Sequence, residues 1–173
     1  MSFVPTFAQY AKMLHNLSQF IEKGAAFAVE KKFDVEVLLN ARLAPDQFSF
    51  TRQVQTVCDT AKFGAARLAG QEAPAHADTE KTVEELQARI RSVINYLETF
   101  TEADFAGADE RRISPPRWAG KSLSGAQYLN HYLHPNFYFH VTTAYAILRH
   151  NGVGLGKMDF LGSLPFQEPT TQS

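Results

Sequence analysis

The stretch LHPNFYFHVTTAYAILRHNGVGLGKMDFLG, residues 133–162, decides the fold of this chain. Its apolar residues recur at helical spacing, and the Asn-Gly pair at 151–152 is well placed to end the helix. Asn136 and His140 lie four residues apart, so their side chains project from the same side, one turn apart. Polar groups beside a buried stripe cost free energy unless they are hydrogen-bonded or bind something. This pair is therefore the first candidate for a functional site.

The point at which this helix begins is open. Pro135 cannot donate a hydrogen bond to the preceding turn, so it either kinks one long helix that begins near Gly125 or begins a new helix itself. In both cases the helix runs to His150. Its predicted core stripe consists of Phe137, Val141, Ala144 and Leu148.

Three earlier segments also carry an apolar stripe at helical spacing. They run from about Thr6 to Lys32, from about Phe50 to Leu68, and from Val83 to Phe100. The third opens with a capping box, Thr82-x-x-Glu85, in which each side chain satisfies an otherwise unpaired backbone donor. Four amphipathic helices without convincing parallel strands predict an all-α fold, an antiparallel four-helix bundle.

Local features of the helices and their connections add finer predictions. The residues at 64–66 are small, so a neighbouring helix could approach the second helix closely there. Arg89 and Arg91 are expected on the outer face of the third helix. An irregular insert precedes the fourth helix, and its pieces RRIS (111–114) and KSLS (121–124) could form a short hairpin.

Length and composition limit the class of protein. A chain of 173 residues is most economically one domain, here 1–166, whose end packs back across the bundle and is followed by a frayed tail at 167–173. Seventeen Lys and Arg against eighteen Asp and Glu, without a basic run, argue against a nucleic-acid partner. No apolar stretch approaches the ~20 residues that cross a bilayer, so no membrane partner is expected. The single Cys58 is typical of a reducing cytoplasm, where we expect the protein.

Residues of the second helix extend the candidate site. Gln55 lies near the border of the apolar stripe, whereas Asp59 points nearly opposite it. Cys58 lies on the stripe, where a thiol usually acts as a small hydrophobe unless positive charge activates it. We expect an unknown small molecule to bind in a pocket lined by Asn136, His140, Gln55 and Cys58. In the alternative, Asn136 and His140 form a hydrogen-bonded structural pair.

The histidines offer a second, metal-binding interpretation. His131 and His134 are three residues apart on a helix, and His140 could join them only with help from a kink at Pro135. Zinc generally takes at least three protein ligands, and no Cys pair, H-E-x-x-H motif or carboxylate cluster adds to this set. We therefore expect no metal cofactor, with zinc or nickel on these three histidines as the alternative. His76 lies in a polar loop and is expected to be solvated.

Aromatic residues surround the fourth helix on several sides. A helix that is apolar over more than one face must be covered by more than one neighbour. The insert and the tail could supply that cover, and so could a second copy of the chain. We expect a homodimer. The residues concerned are Tyr128, Tyr132, Phe137, Tyr138, Phe139 and Tyr145.

The elements QVQTVCDTAK, ARLAG, PNFYFH, AYAILRHNGV and GKMDFLG resemble an uncharacterised bacterial family of unknown function. That family is placed in the DinB/YfiT-like superfamily, which is associated with metal-dependent enzymes. The resemblance covers the chain from Phe3 to about Gly162. It implies an up-down-down-up four-helix bundle, commonly dimeric, in a cytoplasmic protein.

Better-known DinB-like relatives hold a divalent metal through three histidines, one from the second helix and two from an H-x-x-x-H on the last. His140 matches the final histidine through AILRHNG, but the earlier one falls at Asn136 and residues 50–69 contain no histidine. The resemblance therefore implies a degenerate metal triad. It leaves a small-ligand-binding bundle, or alternatively a metal-dependent hydrolase or thiol transferase that uses His140 with a rearranged ligand set.

Overall fold

The segments with helical spacing are helical in the computed structural model, which describes residues 2–167. The helices are α1 Val4–Lys31, α2 Glu36–Leu39, α3 Phe50–Ala69, α4 Val83–Glu98, α5 Gly125–Tyr128, α6 His134–His150 and α7 Lys157–Leu161. Ser49 and Thr82 cap α3 and α4 through their side chains, and Thr82 forms the predicted capping box with Glu85. The described chain is thus mostly helical, as the spacing predicts.

The buried apolar residues of the long helices form one cluster. Helix α1 packs mainly against α4, and α3 packs against both α6 and α4. All four residues of the predicted α6 stripe are buried. At the centre, the rings of Tyr10 and Phe137 stack with their centroids 3.9 Å apart, so the first and last long helices share aromatic packing.

A π-helical segment, Leu129–Leu133, joins α5 to α6. The backbone N–H of His134 donates to the carbonyl of Leu129, five residues earlier. Pro135 has no N–H, and its ring would collide with the carbonyl four residues before it in a regular α-helix. The wider turn relieves that collision, so the chain continues from Gly125 to His150 without a break.

The small residues of α3 allow the π segment to approach closely. A Cβ atom on Gly64 would lie 2.5 Å from a methyl carbon of Leu133. This contact is the close helix approach that 64–66 predict. It brings α3 and the last helix together along the groove in which the candidate site lies.

The irregular insert contains the predicted hairpin. Strand β1, Arg112–Ile113, pairs antiparallel with β2, Leu123–Ser124. Short 3-10 turns cover Glu102–Phe105 and Pro116–Trp118. A Cβ atom on Gly125 would lie 1.8 Å from the carbonyl oxygen of Ala108, so only glycine lets the insert pack against the start of α5.

The chain end crosses the bundle surface only in part. Phe160 of α7 packs beside the rings of Phe20 and Tyr145, whereas Phe166 is exposed. The expected frayed tail at 167–173 lies, apart from Gln167, outside the described residues. Within residues 2–167, no helix combines the length and apolar character that crossing a membrane requires.

The prediction for Arg89 is wrong. Arg91 is exposed as expected, but Arg89 is 3% exposed and lies against the connection between α3 and α4. That connection carries Asp78 and Glu80, which both pair with the guanidinium. A loop therefore covers the helix face that spacing alone assigns to solvent.

Candidate ligand-binding site

A cavity of about 310 Å³ lies in the groove between α3 and the last long helix. The continuous helical stretch from α5 to α6 contributes four residues spaced by four, and α3 contributes residues of one face. Phe48, before α3, and Arg117, in the insert, complete the lining. The remaining lining residues are Arg52, Thr56, Asp59, Thr60, Phe63, Arg67, Tyr128, Tyr132, Asn136 and His140.

The π segment explains why four residues spaced by four reach the same cavity. In a regular α-helix each step of four residues turns about 40° beyond a full rotation, so three steps would drift by about 120°. The extra residue in the π turn reverses part of that drift. Tyr128 and Tyr132 therefore line the same cavity as Asn136 and His140.

The imidazole of His140 is held in one orientation by two residues near the start of α3. Its Nδ1 lies 2.7 Å from Oε1 of Gln53, whose Nε2 donates to the carbonyl of Phe48. Because that amide oxygen can only accept, Nδ1 of His140 carries the proton. Among the described residues, Nε2 of His140 has no hydrogen-bond partner, so its lone pair is available to a ligand. Burial lowers the pKa of His140 below its ordinary value, which favours the neutral ring near pH 7.

Asn136 reaches across the cavity to α3. Its Nδ2 donates to Oγ1 of Thr60 at 2.9 Å, and that hydroxyl donates to the carbonyl of Thr56 at 2.7 Å. The amide is thereby fixed with its nitrogen on Thr60 and its oxygen free of this chain of bonds. Asn136 and His140 do not bond to each other; each is oriented by a different residue of α3.

Asp59 lies outside the apolar core of α3 and brings a carboxylate to the cavity wall. Its Oδ1 lies 2.9 Å from Nζ of Lys62 and 2.8 Å from Nη2 of Arg89, both of which are buried. Glu80 accepts from Arg89 and from Gln55 on the far side. Burial opposes ionisation of Glu80, but these hydrogen bonds outweigh it and hold its pKa below the ordinary value.

His76 belongs to this charged cluster rather than to solvent. Its Nδ1 lies 2.8 Å from Nζ of Lys62 and its Nε2 is 3.4 Å from the hydroxyl of Ser92. Burial and the nearby Lys62 lower the pKa of His76. The prediction that His76 is solvated is therefore wrong, because its loop lies against the charged residues of α3 and α4.

Two arginines line the end of the cavity that lies farthest from His140, beside Tyr128 and Tyr132. Arg67 lies over the ring of Phe63 and donates to the hydroxyl of Tyr128 at 3.1 Å. Arg117 lies over the ring of Tyr132, 5.2 Å from its centroid. Both guanidinium groups are therefore held by aromatic rings at the Tyr128 end of the groove.

The structure separates the predicted site residues. Asn136 and His140 line the cavity, whereas Gln55 and Cys58 do not. Gln55 is buried against Glu80 and Arg52. Cys58 is fully buried in the core, and burial raises the pKa of its thiol to about 12. Spacing on α3 puts these two residues near the groove but cannot show that a loop and a neighbouring helix cover them.

The alternative metal ligands are not brought together. His131 is exposed, and Nδ1 of His134 lies 2.8 Å from the hydroxyl of Tyr10 on α1, away from His140. No group of three His, Cys, Asp or Glu side chains suited to a metal occurs among residues 2–167. Besides His140, the cavity lining offers the amide of Asn136 and the carboxylate of Asp59, which is already paired with two cations. These are poor partners for zinc or nickel, so the residues present do not fit the metal.

Sequence reasoning missed the α3 wall and Arg117. Arg52, Thr56 and Thr60 recur at every fourth position, which is the same spacing that singles out Asn136 and His140. This shared spacing is the feature of the sequence that could have indicated the α3 wall. Spacing cannot show which faces of two helices meet, and nothing in the insert's sequence locates Arg117 over Tyr132.

Comparison of the chain with known proteins gives two matches. The model of a family described as "Domain of unknown function (DUF1993)" matches residues 3–161. The crystal structure of a DinB family member protein from Shewanella denitrificans shares 56% identity with the chain and has a TM-score of 0.91. That similarity covers 94% of this chain and 93% of the other. No curated protein matches the chain.

Proposed function

We propose, from the premise that this chain belongs to the family described as a domain of unknown function (DUF1993), that it binds a small molecule in the cavity beside α6. The likeness to a DinB family member supports an uncharacterised DinB-like helical protein. Within that fold we propose one domain over 1–166, with the four long helices as an antiparallel bundle. The degenerate triad inferred from Asn136 and the histidine-free α3 makes binding without a metal the preferred function.

The observation that carries the proposal is the orientation of His140. A hydrogen bond at one imidazole nitrogen fixes the orientation of the ring and leaves the other nitrogen for a ligand. Here Gln53 fixes Nδ1, while Nε2 has no partner among the described residues at the cavity wall. The cavity volume lies at the lower end of the ~300–1,000 Å³ found for ligand pockets. A small molecule that donates a hydrogen bond to Nε2 would complete the arrangement.

The test is a screen of small polar fragments, read by nitrogen-15 NMR at the His140 imidazole and the Asn136 side-chain amide. Fragments that bind should shift both signals. In His140→Gln the same fragments should bind more weakly, as read at the Asn136 side-chain amide. His150→Gln, at the exposed end of α6, is the matched control and should leave binding unchanged. A screen in which no fragment moves either signal would contradict the proposal.

The alternative is a metal-dependent hydrolase or thiol transferase, and the metal content of the protein distinguishes it from the preferred function. An oriented imidazole is what a metal ligand requires, but His140 is the single histidine of the cavity lining. Elemental analysis of untagged protein should find less than about a tenth of an equivalent of zinc or nickel, also after metal is added. Near-stoichiometric metal that is lost in His140→Ala would replace our preferred function with this one.

We also propose a cytoplasmic homodimer. Phe48 and Phe139 are about half exposed, and they flank His140 beside the cavity. Exposed aromatic surface of this kind is typical of protein interfaces. Light scattering at micromolar concentration should give about twice the 19.3 kDa chain mass, and the mass of one chain would contradict the dimer.

A further inference from the structure

The charges of the cavity are not balanced. Its lining carries three guanidinium groups, on Arg52, Arg67 and Arg117, and one carboxylate, on Asp59. Arg52 pairs with Asp78 at 2.5 Å. Asp59 pairs with Lys62 and Arg89, which do not line the cavity. Among residues 2–167, no carboxylate pairs with Arg67 or Arg117. The unmatched charge in the groove is therefore positive and belongs to these two arginines.

The aromatic rings hold both unmatched arginines on one side of the cavity. Tyr128 and Tyr132 stack with their centroids 5.5 Å apart, Arg67 donates to the hydroxyl of Tyr128, and Arg117 lies over Tyr132. A guanidinium that stacks by its face keeps its N–H edge for hydrogen bonds. Such an edge matches the two oxygens of a carboxylate, and the positive charge strengthens those bonds.

The opposite end of the groove, at His140, suits a hydrogen-bond donor rather than an anion. His140 is eight residues beyond Tyr132, about 12 Å along a helix axis at ~1.5 Å per residue. Its Nε2 offers a lone pair and no proton, because Gln53 holds the proton on Nδ1. A ligand that meets both ends is an anion at one end and a hydrogen-bond donor at the other. The rings of Phe48, beside His140, and Phe63, beside Arg67, supply apolar surface for the rest of the ligand.

We infer that the cavity binds a small aromatic carboxylate whose other end carries a hydroxyl group. The carboxylate meets Arg67 and Arg117, and the hydroxyl donates to Nε2 of His140. This inference rests on the proposed function, because it names the class of molecule for the same cavity. It adds one role, the recognition of an anion by Arg67 and Arg117, that neither the family description nor the name of the related structure supplies.

The test uses three probes of similar shape in calorimetric titrations: 3-(4-hydroxyphenyl)propionate, its primary amide, and 3-phenylpropionate. The hydroxylated acid should bind about tenfold more tightly than the amide, because the amide lacks the charge that the arginines recognise. It should also bind more tightly than 3-phenylpropionate, and His140→Gln should remove that second preference. Arg67→Gln and Arg117→Gln should each remove most of the preference for the acid.

Arg149→Gln is the matched control, since Arg149 is exposed at the end of α6 and does not line the cavity. Equal binding of the acid and the amide would overturn the inference, as would an unchanged preference in both arginine variants. If none of the three probes binds but other fragments still shift the His140 and Asn136 signals, the inference fails while the proposed function stands. If nothing shifts those signals, both fail.

Discussion

Nδ1 of His140 lies 2.7 Å from Oε1 of Gln53, and both side chains are buried. The amide nitrogen of Gln53 donates in turn to the carbonyl of Phe48, so the amide has one satisfied orientation. We predict that nitrogen-15 correlation spectra of the native protein show His140 protonated at Nδ1 alone. Gln53→Leu removes the acceptor and should move the proton to Nε2 in a large part of the molecules. A native ring protonated at Nε2 would contradict this relationship.

Burial of His140 should make stability depend on pH. Its pKa in the folded protein lies below the ordinary 6.5, so the unfolded chain binds more protons as the pH falls through 6.5. Acidification then favours the unfolded state, and the loss continues down to the folded-state pKa. Urea unfolding between about pH 8 and 5 should therefore show the native protein losing more stability than His140→Gln. The other histidines are common to both proteins and cancel in the difference; parallel curves would refute the prediction.

The contact between Gly64 and Leu133 should tolerate no added methyl group. The Cβ atom of Gly64→Ala would lie 2.5 Å from the side chain of Leu133, so this buried side chain must move out of its packed position. We expect a loss of about 1–3 kcal/mol in the free energy of unfolding, as for other overpacked cores. Gly154→Ala is the control, because its Cβ meets no atom within 4 Å. Equal stability of the two variants would show that the helices do not approach as described.

Loss of Arg89 should be among the most damaging single changes. Its guanidinium compensates Asp59, Asp78 and Glu80, and its removal leaves partly buried carboxylates without that partner. We expect Arg89→Met to cost about 3–5 kcal/mol in chemical unfolding. Arg91→Met, two residues away on the exposed face, should change stability little. A cost near zero for Arg89→Met would mean that the cluster is solvated.

Cys58 should be chemically inert in the folded protein. Burial raises the pKa of its thiol to about 12, so almost no thiolate exists near pH 8, and the sulfur is not exposed. Iodoacetamide should label it at a rate set by unfolding and should label it fully in urea. Labelling of the native protein as fast as a free thiol would contradict the burial of this residue.

Much of the helical layout can be predicted from spacing, because the core stripe of a helix repeats with the helix period. The stripe through Phe137, Val141, Ala144 and Leu148 is buried as predicted. The same method fails for Arg89, since spacing describes a helix face and cannot see the loop that carries Asp78 and Glu80 over it.

The candidate site shows the same limit. Asn136 and His140 share a helix side, which one sequence reveals, and both line the cavity. Their partners Thr60 and Gln53 depend on how α3 meets α6. Arg117 depends on the path of the insert, which has no period at all. Long-range contacts of this kind follow from tertiary packing, so the local pattern cannot supply them.

The wide turn at Leu129–Leu133 makes the cavity sensitive to chain length as well as to residue type. Removing one amino acid there would return the backbone to an ordinary helical register. Everything upstream would swing by about 100° around the axis and advance by about 1.5 Å. Tyr128 would leave the groove, while Asn136 and His140 would keep their positions. A single deletion could thus detach the half of the cavity that carries Arg67 and Arg117 from the half that carries His140, without altering any residue in the latter half.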